Sequence, residues 1–155
     1  CSIMGVSKGV RGRAGELRGM FLSEGSIGSA EKLCESGIYG KVGESYSLDG
    51  LECVYTADIS EVQPGDAYIC STVDGECPKK YSIDIVKVDK NNKSNKNFVI
   101  KITDKDLISA TGGIVQGMSG SPILQDGKLV GAVTHVFLND PTRGYGIDIN
   151  TMLKE

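Results

Sequence analysis

The chain has one histidine, no tryptophan and no C-x-x-C pair among its five cysteines, Cys1, Cys34, Cys53, Cys70 and Cys77. So little imidazole and paired thiolate argues against zinc, whose structural sites take four Cys or His ligands at close spacing, and no metal or other cofactor is expected. Positive charge is not in excess either: the formal net charge is −3, without the basic surface that nucleic acid requires. The one local exception, Lys8, Arg11, Arg13 and Arg18, is broken by glycines and reads as a solvated loop. No apolar run approaches the roughly 20 residues of a membrane-spanning helix. A basic-then-apolar leader is also missing. The chain opens Cys1-Ser2-Ile3-Met4 with strand-like sequence at once, as expected of a chain cut from a longer one. The six Tyr and three Phe make no stripe or stacking platform and read as core and strand-surface residues.

What the sequence does have is glycine. Its 21 glycines in 155 residues follow no period, which excludes collagen and points to many tight turns between short strands, hence to an all-β domain. With 39% hydrophobic residues, a chain of this length can bury a real core. Strands are expected at Ser2–Val6, Glu16–Leu22, Ile38–Val42, Ala67–Ser71, Lys80–Val88, Phe98–Ile102 and Gly144–Ile149. Turns are expected near Gly12, Gly25, Gly37 and Pro64-Gly65, with a hairpin turn at Asp49-Gly50. Asp89–Asn97 holds no apolar residue and reads as a solvent loop open to proteolysis. The clearest hairpin joins Ser121–Leu124 to Lys128–Val133 through Asp126-Gly127. Cys70 and Cys77 flank a turn at Asp74-Gly75, where a disulfide and two buried thiols are both compatible with the sequence. A brief helix fits Thr151–Glu155.

The chemistry-bearing stretch is Gly112-Gly113-Ile114-Val115-Gln116-Gly117-Met118-Ser119-Gly120-Ser121-Pro122. A serine between glycines, in a loop that leads into a strand, suits a nucleophile. The glycines let the backbone turn so that its amides converge, and those of Gly117 and Ser119 can form an oxyanion hole. The same string also fits a glycine-rich turn with no chemistry. Hairpin arithmetic adds weight to the first reading. With Gln125 opposite Lys128, Leu124 faces Leu129 and Ile123 faces Val130, so Ser119 falls opposite Thr134 with His135 next. The only histidine is thereby carried towards Ser119, provided that no bulge intervenes.

The run from Thr111 to Gly146, TGGIVQGMSGSPILQDGKLVGAVTHVFLNDPTRGYG, resembles the nucleophile loop and hairpin of trypsin-like proteases. More specifically, it is similar to the stage IV sporulation protein B peptidases of endospore-forming bacteria, peptidase family S55. The similarity extends back through Ile102-Thr103-Asp104 and Gly37-Ile38-Tyr39-Gly40 to Gly15-Glu16-Leu17. It implies an all-β fold of two trypsin-like barrels with the N-terminal barrel incomplete. Residues 1–80 would hold the remainder of that first barrel and a linker, and residues 81–155 the second barrel with the nucleophile.

The resemblance also implies roles. Ser119 matches the nucleophile, and Asp104, fifteen positions earlier, matches the triad acid. The family's triad histidine lies in an upstream Leu-Gly-His loop, and residues 1–134 contain no histidine. This chain is therefore expected to be close to inactive alone, since triad members act as a unit. By the same match, Thr134 and His135 line the substrate channel, with His135 a wall or specificity residue rather than the base, and Thr134 a hydrogen-bond partner for the triad acid. Without the resemblance, Asp104 reads as an N-cap for a turn at Lys105–Ile108, and Asp140 as a turn former. The implied activity is cleavage of a membrane-associated regulatory protein, in the space between mother-cell and forespore membranes, through an acyl-enzyme. Two readings from other classes compete: a catalytically silent peptide-binding module using Val133–Phe137, and a structural domain whose Gly-x-Ser-Gly is only a turn.

Overall fold

A computed structural model describes residues 1–22, 26–44, 46–47 and 49–154. Ten strands and two short helices follow one another: β1 Ser2–Ser7, β2 Glu16–Met20, β3 Gly28–Cys34, β4 Gly37–Val42, β5 Gly65–Ser71, β6 Lys79–Val88, β7 Phe98–Ile102, α1 Lys105–Thr111, β8 Pro122–Gln125, β9 Lys128–Phe137, β10 Asp140–Asp148 and α2 Ile149–Leu153. Six strands close into a barrel in the order β10-β7-β6-β5-β8-β9, while β1-β2 and β3-β4 form separate two-stranded ribbons. The fold is all-β and trypsin-like, with one closed barrel preceded in sequence by the two ribbons.

Alternation closes the barrel. In β6 Tyr81, Ile83 and Ile85 are buried between Ser82 and Asp84, and in β7 Phe98, Ile100 and Ile102 are buried around Val99 and Lys101. Ile69, Ile123 and Ile147 complete the filling from β5, β8 and β10. Each such side chain contributes on the order of 1.5–3 kcal/mol by leaving water. The packing leaves no slack at Gly131, where a Cβ would stand 2.0 Å from the Ile147 carbonyl oxygen. The buried Leu107, Val115 and Met118 join the same core from α1 and the loop that follows it.

Several boundaries differ from those expected. The closed barrel begins with β5 at Gly65, not at Tyr81, because β5 pairs along its whole length with β6. β3 was not foreseen, since only Ala30 and Leu33 break its polar run, and β2 ends at Met20. The turn at Asp49-Gly50 exists, with Gly50 at φ +79°, but no described strands flank it. The turn expected near Gly25 lies outside the described residues. The last helix starts at Ile149, two residues before the expected position. No disulfide joins Cys70 to Cys77; Cys70 is half-buried, and Cys77 is exposed rather than buried.

The hairpin turn at Asp126-Gly127 is as expected, with both residues at positive φ, +50° and +76°, as two-residue hairpin turns favour. The register is not. Leu124 faces Leu129, but Ile123 faces Gly131 and Pro122 faces Ala132. Val130 is therefore an extra residue in β9, a bulge that no arithmetic on the loop length could reveal. The loop from Asp89 to Asn97 is less loose than its composition implies. Asn97 is buried, donates Nδ2 to the Asp89 and Asn92 carbonyls, and accepts the Asp148 amide at Oδ1.

Candidate active site

The loop that presents Ser119 is held at both ends. At its start, α1 is capped by Asp104, whose Oδ1 accepts the Leu107 amide at 2.9 Å. The helix ends at Gly112, at φ +77°; there a Cβ would sit 2.2 Å from the Gly9 carbonyl oxygen, so only glycine fits. Thr111, fully buried, shares its one hydroxyl proton between the Leu107 and Gly113 carbonyls and accepts the Gly113 amide. Its own carbonyl takes the Gly9 amide at 2.8 Å, tying the loop to the end of β1.

Two tight turns follow in succession. Met118 N donates to Val115 O at 3.1 Å, and Ser121 N donates to Met118 O at 3.0 Å. The third residues of these turns are Gly117 at φ +97° and Gly120 at φ +87°, the position at which a left-handed backbone demands glycine. Buried Met118 anchors the shared corner in the core and leaves Ser119 exposed. At the far end, Gly120 N donates to Val133 O and Val133 N donates to Ser121 O, and Ser121 Oγ meets Ser71 Oγ at 3.1 Å.

Ser119 Oγ donates to the Thr134 carbonyl at 2.9 Å. The amides of Gly117 and Ser119 donate to no acceptor among the described residues. Ser119, Gly120, Thr134 and His135 line one cavity of about 540 Å³, closed on its other side by Cys34–Ile38, where β3 turns into β4. The Ser36 hydroxyl lies 3.0 Å from both Cys34 Sγ and the Tyr39 hydroxyl. His135 is exposed in β9 and faces Tyr145 across the ribbon. Gly117 faces a separate cavity with Leu17, Cys70 and Ser71, and a Cβ on it would press on Leu17 at 3.1 Å.

The structure thus brings Ser119, Thr134 and His135 together around one cavity, with Gly117 two residues away facing another, and does not bring Asp104 to them. Besides capping α1, the Asp104 carboxylate accepts the Ser82 amide at 3.4 Å, and it lines a cavity with Tyr81, Asp74 and Asp106 that Ser119 does not reach. Burial pushes the Tyr81 hydroxyl above the usual tyrosine range, and the charges of Asp104, Asp74 and Asp106 add to the effect. The half-buried Thr134 does not bond to Asp104: its hydroxyl donates towards the Asn95 carbonyl, at 3.4 Å. Asp140 does form the expected turn, its Oδ1 accepting both the amide and the hydroxyl of Thr142.

Sequence reasoning missed Thr111, Leu17 and the Cys34–Gly37 turn as shapers of the site. Only Thr111, directly before a Gly-Gly pair, carried a local signal. The other two arrive through long-range packing.

No curated protein and no solved structure matches the chain. Among the described residues no helix is long and apolar enough to cross a membrane. One family profile does match, that of the SpoIVB peptidase S55, over residues 1–153. With that match spanning nearly every residue, the chain belongs to the SpoIVB peptidase S55 family of serine peptidases.

Proposed function

We propose that Ser119 is the nucleophile of a serine endopeptidase that acts on an extended segment of a protein substrate lying along β9. Ser119 Oγ attacks the scissile carbonyl carbon while an imidazole removes its proton, and the tetrahedral oxyanion accepts hydrogen bonds from the Gly117 and Ser119 amides. Collapse breaks the C–N bond, the imidazolium returns the proton to the leaving amine, and water then hydrolyses the acyl-enzyme. The imidazole is supplied by sequence outside these 155 residues, so the chain by itself is close to inactive, and His135 serves as a wall of the substrate channel. The family resemblance supplies the rest of the reading: a membrane-associated regulatory protein as substrate, cut between the two membranes around the forespore, with Asp104 orienting the imidazole.

The observation that carries this reading is the pair of turns at 115–121, which expose the Ser119 hydroxyl at a corner whose Gly117 and Ser119 amides donate to no acceptor among the described residues. A second reading, a silent peptide-binding module, has its own support: the Ser119 proton already goes to the Thr134 carbonyl, and among the described residues no base bonds to the hydroxyl. A fluorophosphonate probe separates the two. Under the protease reading, Ser119 is labelled rapidly when this sequence is part of a longer chain that carries the missing histidine, and S119A is not. Absence of labelling in that longer chain sinks the protease and leaves the binding module.

A further inference from the structure

A cationic and aromatic surface lies beside the C-terminal half of β9, on its β10 side, away from Ser119. Past Val133, which still bonds to Gly120 and Ser121, β9 pairs among the described residues with β10 alone. His135 stands opposite Tyr145, whose ring meets that of Phe137 at a centroid distance of 4.7 Å and carries Lys96 Nζ 5.1 Å from its centre. Lys96 is fixed there by its neighbours: Asn97 is buried and multiply bonded, and the Asn95 carbonyl accepts from Thr134. Arg143, two residues before Tyr145 and so on the same face of the sheet, lies directly opposite Lys101 of β7.

Like charges held opposite each other across two strands repel, and Lys96, Lys101 and Arg143 enter no salt bridge among the described residues. Asp84 flanks Lys101 on its other side and Asp140 sits in the β9–β10 turn, but neither forms an ion pair with these cations, and Asp140 is turned to Thr142. Arg143 Nε is buried with no acceptor among the described residues, and a buried donor without a partner is rare in a native fold. In a chain of net charge −3, this is a local surface that lacks an anion.

We propose that this surface sets substrate specificity by seating an acidic side chain of the polypeptide that lies along β9. From Thr134 to Phe137 is about 10 Å at the strand rise, which places the preferred Glu or Asp about three residues from the bond presented to Ser119. Arg143 offers the carboxylate its planar fork and Lys96 a point charge. The inference rests on the proposed groove beside Ser119.

The test measures fluorescence anisotropy of two fluorescein-labelled extended peptides on this chain, identical except for Glu or Gln at two alternate positions. The expected result is about tenfold tighter binding of the Glu peptide at low ionic strength, fading as salt is raised. R143Q and K96Q should each remove most of that preference, with folding checked by circular dichroism, while K154Q leaves it intact. Equal binding of the two peptides, or a preference that survives both R143Q and K96Q, overturns the acidic site. If that happens while Ser119 of the longer chain still labels with fluorophosphonate, the protease reading stands. If neither peptide binds and Ser119 does not label, the groove itself is wrong.

Discussion

The Ser119 hydroxyl donates to the backbone carbonyl of Thr134 at 2.9 Å, between residues fifteen positions apart in the chain. A hydroxyl whose proton is held by a neutral amide carbonyl is not activated, because the acceptor cannot take the proton away. Labelling of the 155-residue chain by fluorophosphonate should therefore be slow and show no inflection near the imidazole range of about 6.5. H135Q should leave that slow rate unchanged. A drop on H135Q, with an imidazole inflection in the parent chain, would make His135 the base.

Capping and triad roles for Asp104 predict different variants. As the N-cap of α1, it should cost about 1 kcal/mol when changed to Ala and much less when changed to Asn or Ser, which also cap. As a triad acid, D104N in an active longer chain should lower kcat by about four orders of magnitude. Chemical denaturation of the 155-residue variants and peptide hydrolysis by the longer chain read the two effects separately. Unchanged hydrolysis in D104N would confine Asp104 to the helix cap.

Thr111 fastens the start of the nucleophile loop through a fully buried hydroxyl, which shares its proton between the Leu107 and Gly113 carbonyls and accepts the Gly113 amide. T111V keeps the shape and strands the Gly113 amide, so it should destabilise the fold by about 1–3 kcal/mol. T111S retains the hydroxyl and should recover most of that loss. Thermal unfolding of both variants checks this.

Tyr81 ties stability to alkaline pH. Its hydroxyl is held above the usual tyrosine range by burial and by the nearby carboxylates, so the folded state keeps this proton after the unfolded chain has lost it. The stabilisation is fully present below the unfolded value of about 10 and is lost as pH rises through the higher folded value. Y81F should flatten the alkaline limb of a stability–pH curve. D104N should shift the Tyr81 titration back towards the ordinary range, as followed by phenolate absorbance relative to Y81F.

Much of this molecule could be read from its residues, where the governing pattern is local. The alternation of Tyr81, Ile83 and Ile85 gave β6, and Asp126-Gly127 gave the hairpin turn. The glycines around Ser119 gave its exposure, and the local cap reading of Asp104 is the one its hydrogen bonds match. What stayed hidden depends on distant partners. β3 exists because β4 pairs with it, and the burial of Asn97 depends on the Asp148 amide, 51 residues away. The bulge at Val130 belongs to the same class. The segment Tyr55–Ala57 pairs with Leu129 beside it, through Ala57 N to Leu129 O and Leu129 N to Tyr55 O, a contact no reading of the hairpin alone could contain.

That extra residue also constrains how the hairpin can change length. The turn at Asp126-Gly127 lies before it and can grow or shrink with the two strands still in phase. Between Val130 and Thr134 there is no such freedom: removing one residue would rotate β9 by half its pleat, turning Val133 out of the core and withdrawing from Ser119 the carbonyl it now holds. Tolerance to insertion and deletion should therefore switch sharply within four residues of a single strand.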